Sequence, residues 1–169
     1  MSGGSAMGGL FGITDVFGPT DQIVSDMIIQ DVNVSKLKMS NSGIEDNAKP
    51  LIYWGGIVGK GNLCEGRVLD ISKAKVPDFS ISDDPTGNGT FIYYVGGIAG
   101  YAGCEYTHQS SSDDHQYLSL KNSMASGTID LKNDGGNGSK DSYSFSGYVG
   151  GLVGKSVLAM DEKSVMEDT

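Results

Sequence analysis

One short pattern, G-G-[LI]-x-G, occurs four times in this chain and constrains its fold more than any other feature. The copies lie at residues 6–12 (AMGGLFG), 53–59 (YWGGIVG), 94–100 (YVGGIAG) and 148–154 (YVGGLVG). Their second glycines are 47, 41 and 54 residues apart (Gly9 to Gly56, Gly56 to Gly97, Gly97 to Gly151), so the period drifts while the motif holds. A stacked architecture permits that, because each unit must match its neighbours at the packed strand and corner while outer loops vary freely. The glycine sets Gly8, Gly9 and Gly12; Gly55, Gly56 and Gly59; Gly96, Gly97 and Gly100; and Gly150, Gly151 and Gly154 therefore read as structural. Paired glycines stacked over one another let backbones turn sharply where a Cβ would clash. The apolar neighbours Met7, Trp54, Val95 and Val149 before each pair, and Leu10, Ile57, Ile98 and Leu152 after it, are the expected interior.

The last copy continues as Lys155-Ser156, so its end resembles a phosphate-binding loop. Such a loop needs G-x-x-x-x-G-K-[ST], with a glycine five positions before the second one. Val149 stands at that position, and the glycines are explained by the repeat.

Between the motifs, Ile29 to Val34, Val68 to Ile71, Tyr117 to Leu120 and Gly127 to Leu131 show the period-2 alternation of half-buried strands. Polar, turn-rich segments at 38–50, 82–90, 107–116 and 133–142 read as exposed connections. Only residues after Ser156 suggest a short helical turn. The expected fold is all-β, a β-solenoid of the parallel β-helix kind built from about four repeats. A β-propeller-like repeat is the alternative, since a blade of about 40 to 45 residues is close to these spacings. The chain, 1–169, reads as a single repeat domain with units starting near residues 6, 53, 94 and 148. The last unit is incomplete, which is expected of a fragment of a longer chain.

Composition narrows the function classes. The formal charge of −9, with Arg67 the single arginine, leaves no basic face for phosphates, so nucleic acid is a poor partner. No run approaches the roughly 18 apolar residues of a membrane span, so membrane insertion is not expected. Glycine, 26 of 169 residues, is about twice its usual share of roughly 7%, as suits a chain that turns often.

The pattern [YF]-x-G-G-[LI]-[VA]-G, followed by a turn and N-[CS]-x-x-S-G-[TN]-[IV], resembles the GLUG motif of bacterial surface proteins. The second half is clearest at residues 122–129 (NSMASGTI), with a shorter echo at 62–68 (NLCEGRV). The resemblance implies a β-rich, solenoid-like stalk within large secreted or cell-wall-attached proteins, including adhesins and the repeat regions of IgA-cleaving metallopeptidases. It brings no catalytic residues and no cofactor. An extracellular or cell-surface location follows from the resemblance, not from any leader in the chain.

Candidate ligand-contact and chemistry-bearing residues are few. Tyr53, Tyr94 and Tyr148 hold one position of the motif and would stack in a solenoid, either stabilising successive turns or meeting a sugar or protein surface. Cys64 and Cys104 occupy near-equivalent positions of adjacent repeats, as buried small apolar residues or as a disulfide. His108, Asp113, Asp114 and His115 share one polar loop without a zinc-type spacing, and the 135–141 and Asp83-Asp84 segments depart from calcium-loop spacing. No catalytic, cofactor or metal site is expected. The function expected is a non-catalytic stalk or adhesive scaffold whose partners are a host glycan or protein, or neighbouring repeats of the same chain. An accessory region of a secreted peptidase, or a glycan-active β-helix enzyme, is the alternative.

Overall fold

The computed structural model describes residues 5–14, 27–41, 51–63, 68–83, 90–103, 117–131, 144–157 and 165–167. Among these residues every regular element is a strand. The first unit supplies β1 (Ser5–Gly8), β2 (Phe11–Thr14), β3 (Met27–Gln30) and β4 (Lys38–Asn41). The second supplies β5 (Leu51–Gly55), β6 (Val58–Asn62), β7 (Val68–Ser72) and β8 (Lys75–Asp83). The third supplies β9 (Thr90–Gly96), β10 (Ala99–Gly103), β11 (Tyr117–Lys121) and β12 (Met124–Leu131). The fourth supplies β13 (Ser144–Gly150), β14 (Val153–Val157) and β15 (Val165–Glu167).

These strands form four parallel sheets, ordered β1-β5-β9-β13, β2-β6-β10-β14, β3-β7-β11-β15 and β4-β8-β12. Each strand thus pairs with the strand four elements away in the chain, and each unit visits the sheets in the same order. This arrangement is compatible with a β-solenoid. It does not fit the propeller alternative, because a blade pairs the strands of one repeat with each other, whereas here the pairings run between units. No helix among the described residues is long and apolar enough to cross a membrane.

The glycine motif explains why the first two sheets stay in register. The first glycine of each copy ends a strand of the first sheet, and Gly8, Gly55, Gly96 and Gly150 are direct register partners in succession. The second glycine and the Leu or Ile after it form the whole corner before the next strand begins. At that corner one carbonyl takes two donors from the preceding unit. Ile57 N and Val58 N both donate to Ile98 O, at 2.8 and 3.0 Å, and Ile98 N and Ala99 N repeat this on Leu152 O. The ladder therefore continues around the bend instead of breaking there, and few backbone groups are left to be solvated.

Such close stacking leaves no room for a Cβ at the motif glycines of the two middle units. A Cβ on Gly55 would stand 2.0 Å from Val58 O within its own unit, and one on Gly56 would stand 2.0 Å from Gly97 O of the next. The need is clearance, since the backbone at these positions is not left-handed. Gly151 is the exception, with nothing within 4 Å, because no described strand lies beyond the fourth unit of the first two sheets.

A second corner, between the third and fourth sheets, uses left-handed residues instead. Asp31, Lys73 and Asn122 follow the register partners Gln30, Ser72 and Lys121, with φ of 54°, 53° and 48°. Ser123, buried behind this corner, accepts from Ala74 N at 3.1 Å and donates to Lys121 O at 2.9 Å. The register corrects one reading of the sequence. Asn62 pairs with Gly103 in the second sheet, so the 62–68 segment is not the counterpart of 122–129, and Lys73 is the residue that stands where Asn122 does.

The core runs along the stack. Ile52, Trp54, Ile57, Leu69, Ile71 and Ile81 of the second unit pack with Tyr93, Val95, Ile98, Leu118 and Leu120 of the third. Burying each such side chain contributes roughly 1.5–3 kcal/mol. Of the residues expected inside, those of the middle units are fully buried, whereas Leu10 and Val149 in the end units remain 46% and 51% exposed. Two further expectations change. Lys38–Asn41 lies in a connection by composition, yet it forms β4 because Met39 alternates into the core between exposed Lys38 and Ser40. The helical turn after Ser156 is replaced in part by the strand β15, paired with β11.

Gly56→Ala is expected to cost about 3 kcal/mol or more in urea unfolding, since backbone rather than a flexible side chain must give way. Gly151→Ala, in open space, should stay within about 0.5 kcal/mol of the parent chain.

Candidate functional site: a tyrosine ladder beside the glycine corner

Period-2 alternation puts Ile52 and Trp54 into the core and turns Tyr53 to the opposite face of β5. Its register partners Tyr94 and Tyr148 follow suit, because the sheet is parallel and in register at this position. The result is a stack. The rings of Tyr53 and Tyr94 lie 4.9 Å apart and 8° from parallel, and those of Tyr94 and Tyr148 lie 5.6 Å apart at 11°. Stacked rings at such distances contribute about 0.5–1.5 kcal/mol per pair beyond their burial.

The second sheet completes the site with residues one position after the motif's last glycine. Ile13, Lys60, Tyr101 and Lys155 are register partners there. Tyr101 presents its ring edge-on to both Tyr53 and Tyr94, at 5.7 and 5.6 Å. Lys60 Nζ lies 4.9 Å from the Tyr53 ring centroid; Lys155 Nζ lies 4.5 Å from that of Tyr148 and 5.4 Å from that of Tyr94. Ammonium groups above aromatic faces add roughly 0.5–1 kcal/mol each at such half-buried positions. The Lys155 of the apparent phosphate-loop ending therefore belongs to the ladder.

Exposure is graded along the row. Tyr53 is 5% exposed and Tyr101 3%, so their rings are packing surface. Tyr94 is half-buried, and Tyr148, at 50%, is the rung that presents a ring face to solvent with a cation beside it.

A second polar feature lies inside the core. The Tyr93 hydroxyl donates to Asp83 Oδ2 at 2.5 Å, both residues being buried, and so ties the end of β8 to β9. Burial, then the hydrogen bond and charge of Asp83, push the Tyr93 phenol well above its ordinary value of 10.0. No spacing in the sequence announces this pair, because Asp83 and Tyr93 stand on β8 and β9, strands of different sheets with residues 84–89 between them. Lys60 and Tyr101 belong to no motif of their own, yet their fixed offset from the last glycine of each copy, shared with Lys155, is a signal that finds them.

Several other candidates lie outside the described residues: Cys64, Cys104, Arg67, Asp84, His108, Asp113, Asp114, His115 and the 135–141 segment. Among the described residues, no group of three or more His, Cys, Asp or Glu side chains could hold a metal ion. Comparisons with protein-family models, with curated proteins and with solved structures give no match.

Two outcomes are expected. Tyr94→Leu, which removes both stacks, should lower unfolding free energy by about 1–3 kcal/mol, whereas Tyr148→Leu at the end should cost under about 1 kcal/mol. Above pH 10 the unfolded chain releases the Tyr93 proton and the folded chain keeps it, so stability falls with rising pH by about 1.4 kcal/mol per unit from this group. Tyr93→Phe should therefore be less stable than the parent at pH 7 and show a shallower fall between pH 10 and 11.

Proposed function

We propose that this chain is a non-catalytic β-solenoid segment of GLUG type from a bacterial surface or secreted protein, acting as a stalk or adhesive scaffold. The observation that carries this reading is the continuous register of the four glycine corners and the tyrosine row beside them. A stack held by backbone ladders in four sheets is stiff along its axis, because every unit is bonded to the next at several places around its circumference. Connection length varies at two joints, within units between the second and third sheets and between units from the fourth sheet to the first. Residues 15–26, 64–67 and 104–116 fall at the former, and 42–50, 84–89 and 132–143 at the latter. A scaffold that tolerates different connections at fixed places can present different contact segments along one axis.

Adhesion through the ladder is favoured at one place. Tyr148, half-exposed with Lys155 over its ring, combines an aromatic face and a cation in the way that sugar or carboxylate-bearing partners use.

Antibody labelling of intact producing cells tests the location. Equal labelling before and after permeabilisation is expected, and labelling only after permeabilisation would overturn the surface reading. On a glycan array the parent chain is expected to bind with at least about tenfold loss in Tyr148→Ala, and binding indifferent to that change would remove Tyr148 as the contact.

A further inference from the structure

The register that builds the core also fixes two phenols face to face. β5 and β9 run parallel with Tyr53 opposite Tyr94, and their rings lie 4.9 Å apart and 8° from parallel. Side chains at register-paired positions of parallel strands set out in the same direction. Both hydroxyls therefore stand on the same side of the stack, and the ring carbons ortho to them face one another. The pair belongs to the two middle units, whose strands lie between β1 and β13, so its geometry is set by neighbours on both sides. Tyr101 meets both rings edge-on and holds them from the second sheet. Tyr53 is buried, whereas Tyr94 is partly open to solvent.

We propose that Tyr53 and Tyr94 are a site of oxidative cross-linking, joined as dityrosine by a peroxidase-type one-electron oxidant that consumes hydrogen peroxide. Tyr94, the accessible member, gives up an electron and its phenolic proton and becomes a phenoxyl radical. The Tyr53 hydroxyl then passes a hydrogen atom to the Tyr94 oxygen, so the radical moves inward and the Tyr94 phenol is restored. A second oxidation of Tyr94 sets two phenoxyl radicals against each other. Their ortho carbons form one C–C bond, and the hydrogen on each bonded carbon moves to its own phenoxyl oxygen, which restores both aromatic rings. The two electrons and two protons released reduce one hydrogen peroxide to two waters, and the protein becomes lighter by two hydrogens. Rings held in contact react as though at very high local concentration, which favours this pair over collisions between molecules. Tyr93, next in sequence, is set apart by its place in the core, where its hydroxyl donates to Asp83. The new bond joins the second unit to the third and restrains the unfolded chain between positions 53 and 94, as a disulfide closing the same loop would. The inference rests on the ladder geometry and holds wherever the protein works.

Oxidation of the dilute parent chain by a haem peroxidase with hydrogen peroxide tests it. The expected product is a monomer lighter by two hydrogens, with the blue emission of dityrosine and with Tyr53 and Tyr94 joined in peptide mapping. Its yield should exceed that from the urea-unfolded chain at least about tenfold, because unfolding removes the contact. Tyr94→Phe, which keeps a ring in the stack without a phenol, should lose the monomeric cross-link, whereas Tyr117→Phe, on the third sheet, should keep it. Peptide mapping of the parent chain assigns the bond without reliance on any variant. Dityrosine confined to covalent dimers, an equal yield from the unfolded chain, joined peptides that omit Tyr53 or Tyr94, or no dityrosine at all would each overturn the inference.

Discussion

The corner carbonyl that accepts two amide donors from the preceding unit is the interaction on which the rest of the structure depends. Ile57, Ile98 and Leu152 each supply it. It keeps the hydrogen-bond ladder unbroken where the chain leaves one sheet for the next, and it works only if neighbouring backbones come closer than any Cβ allows. The two glycines are the consequence. The side chain of the Leu or Ile turns into the core, so one residue supplies both the backbone acceptor and the apolar filling of the bend.

Once these corners are stacked, parallel register follows along both flanking sheets, and the side chains have little choice. Residues on one face of β5 and β9 meet as a core of Trp54, Tyr93 and Val95; those on the other face meet as the tyrosine ladder. Positions just beyond the corner face the same row, which is why Tyr101 and the two lysines reach the rings. The far side of each unit is held differently. There the bend relies on left-handed residues and on Ser123 bridging two backbone groups, a locally costlier solution for Lys73 than for Asp31 or Asn122, which tolerate positive φ better.

What was legible in the sequence was whatever repeated at fixed offset. The glycine sets, the buried neighbours in the middle units and the stacking of Tyr53, Tyr94 and Tyr148 all follow from aligning four short segments. The fourth sheet was largely hidden. β8 contains Pro77 and a left-handed Asp78, and its partner β12 shifts register between Ala125 and Gly127, so alternation is legible in β12 only from Gly127 to Leu131 and does not run through the whole of either strand. β4 was masked by its polar composition, with Met39 its one buried side chain among those described. The Asp83–Tyr93 bond was invisible for another reason: it joins two units through side chains that no repeat requires.

The central claim is that each repeat is one turn of a stack whose corner amides bond to the next repeat. Long-range scalar couplings across hydrogen bonds measure this directly on the folded chain in solution. Couplings from both Ile57 N and Val58 N to the Ile98 carbonyl carbon, and from Ile98 N and Ala99 N to that of Leu152, are the predicted result. Couplings from those amides to carbonyls within their own repeat would contradict it.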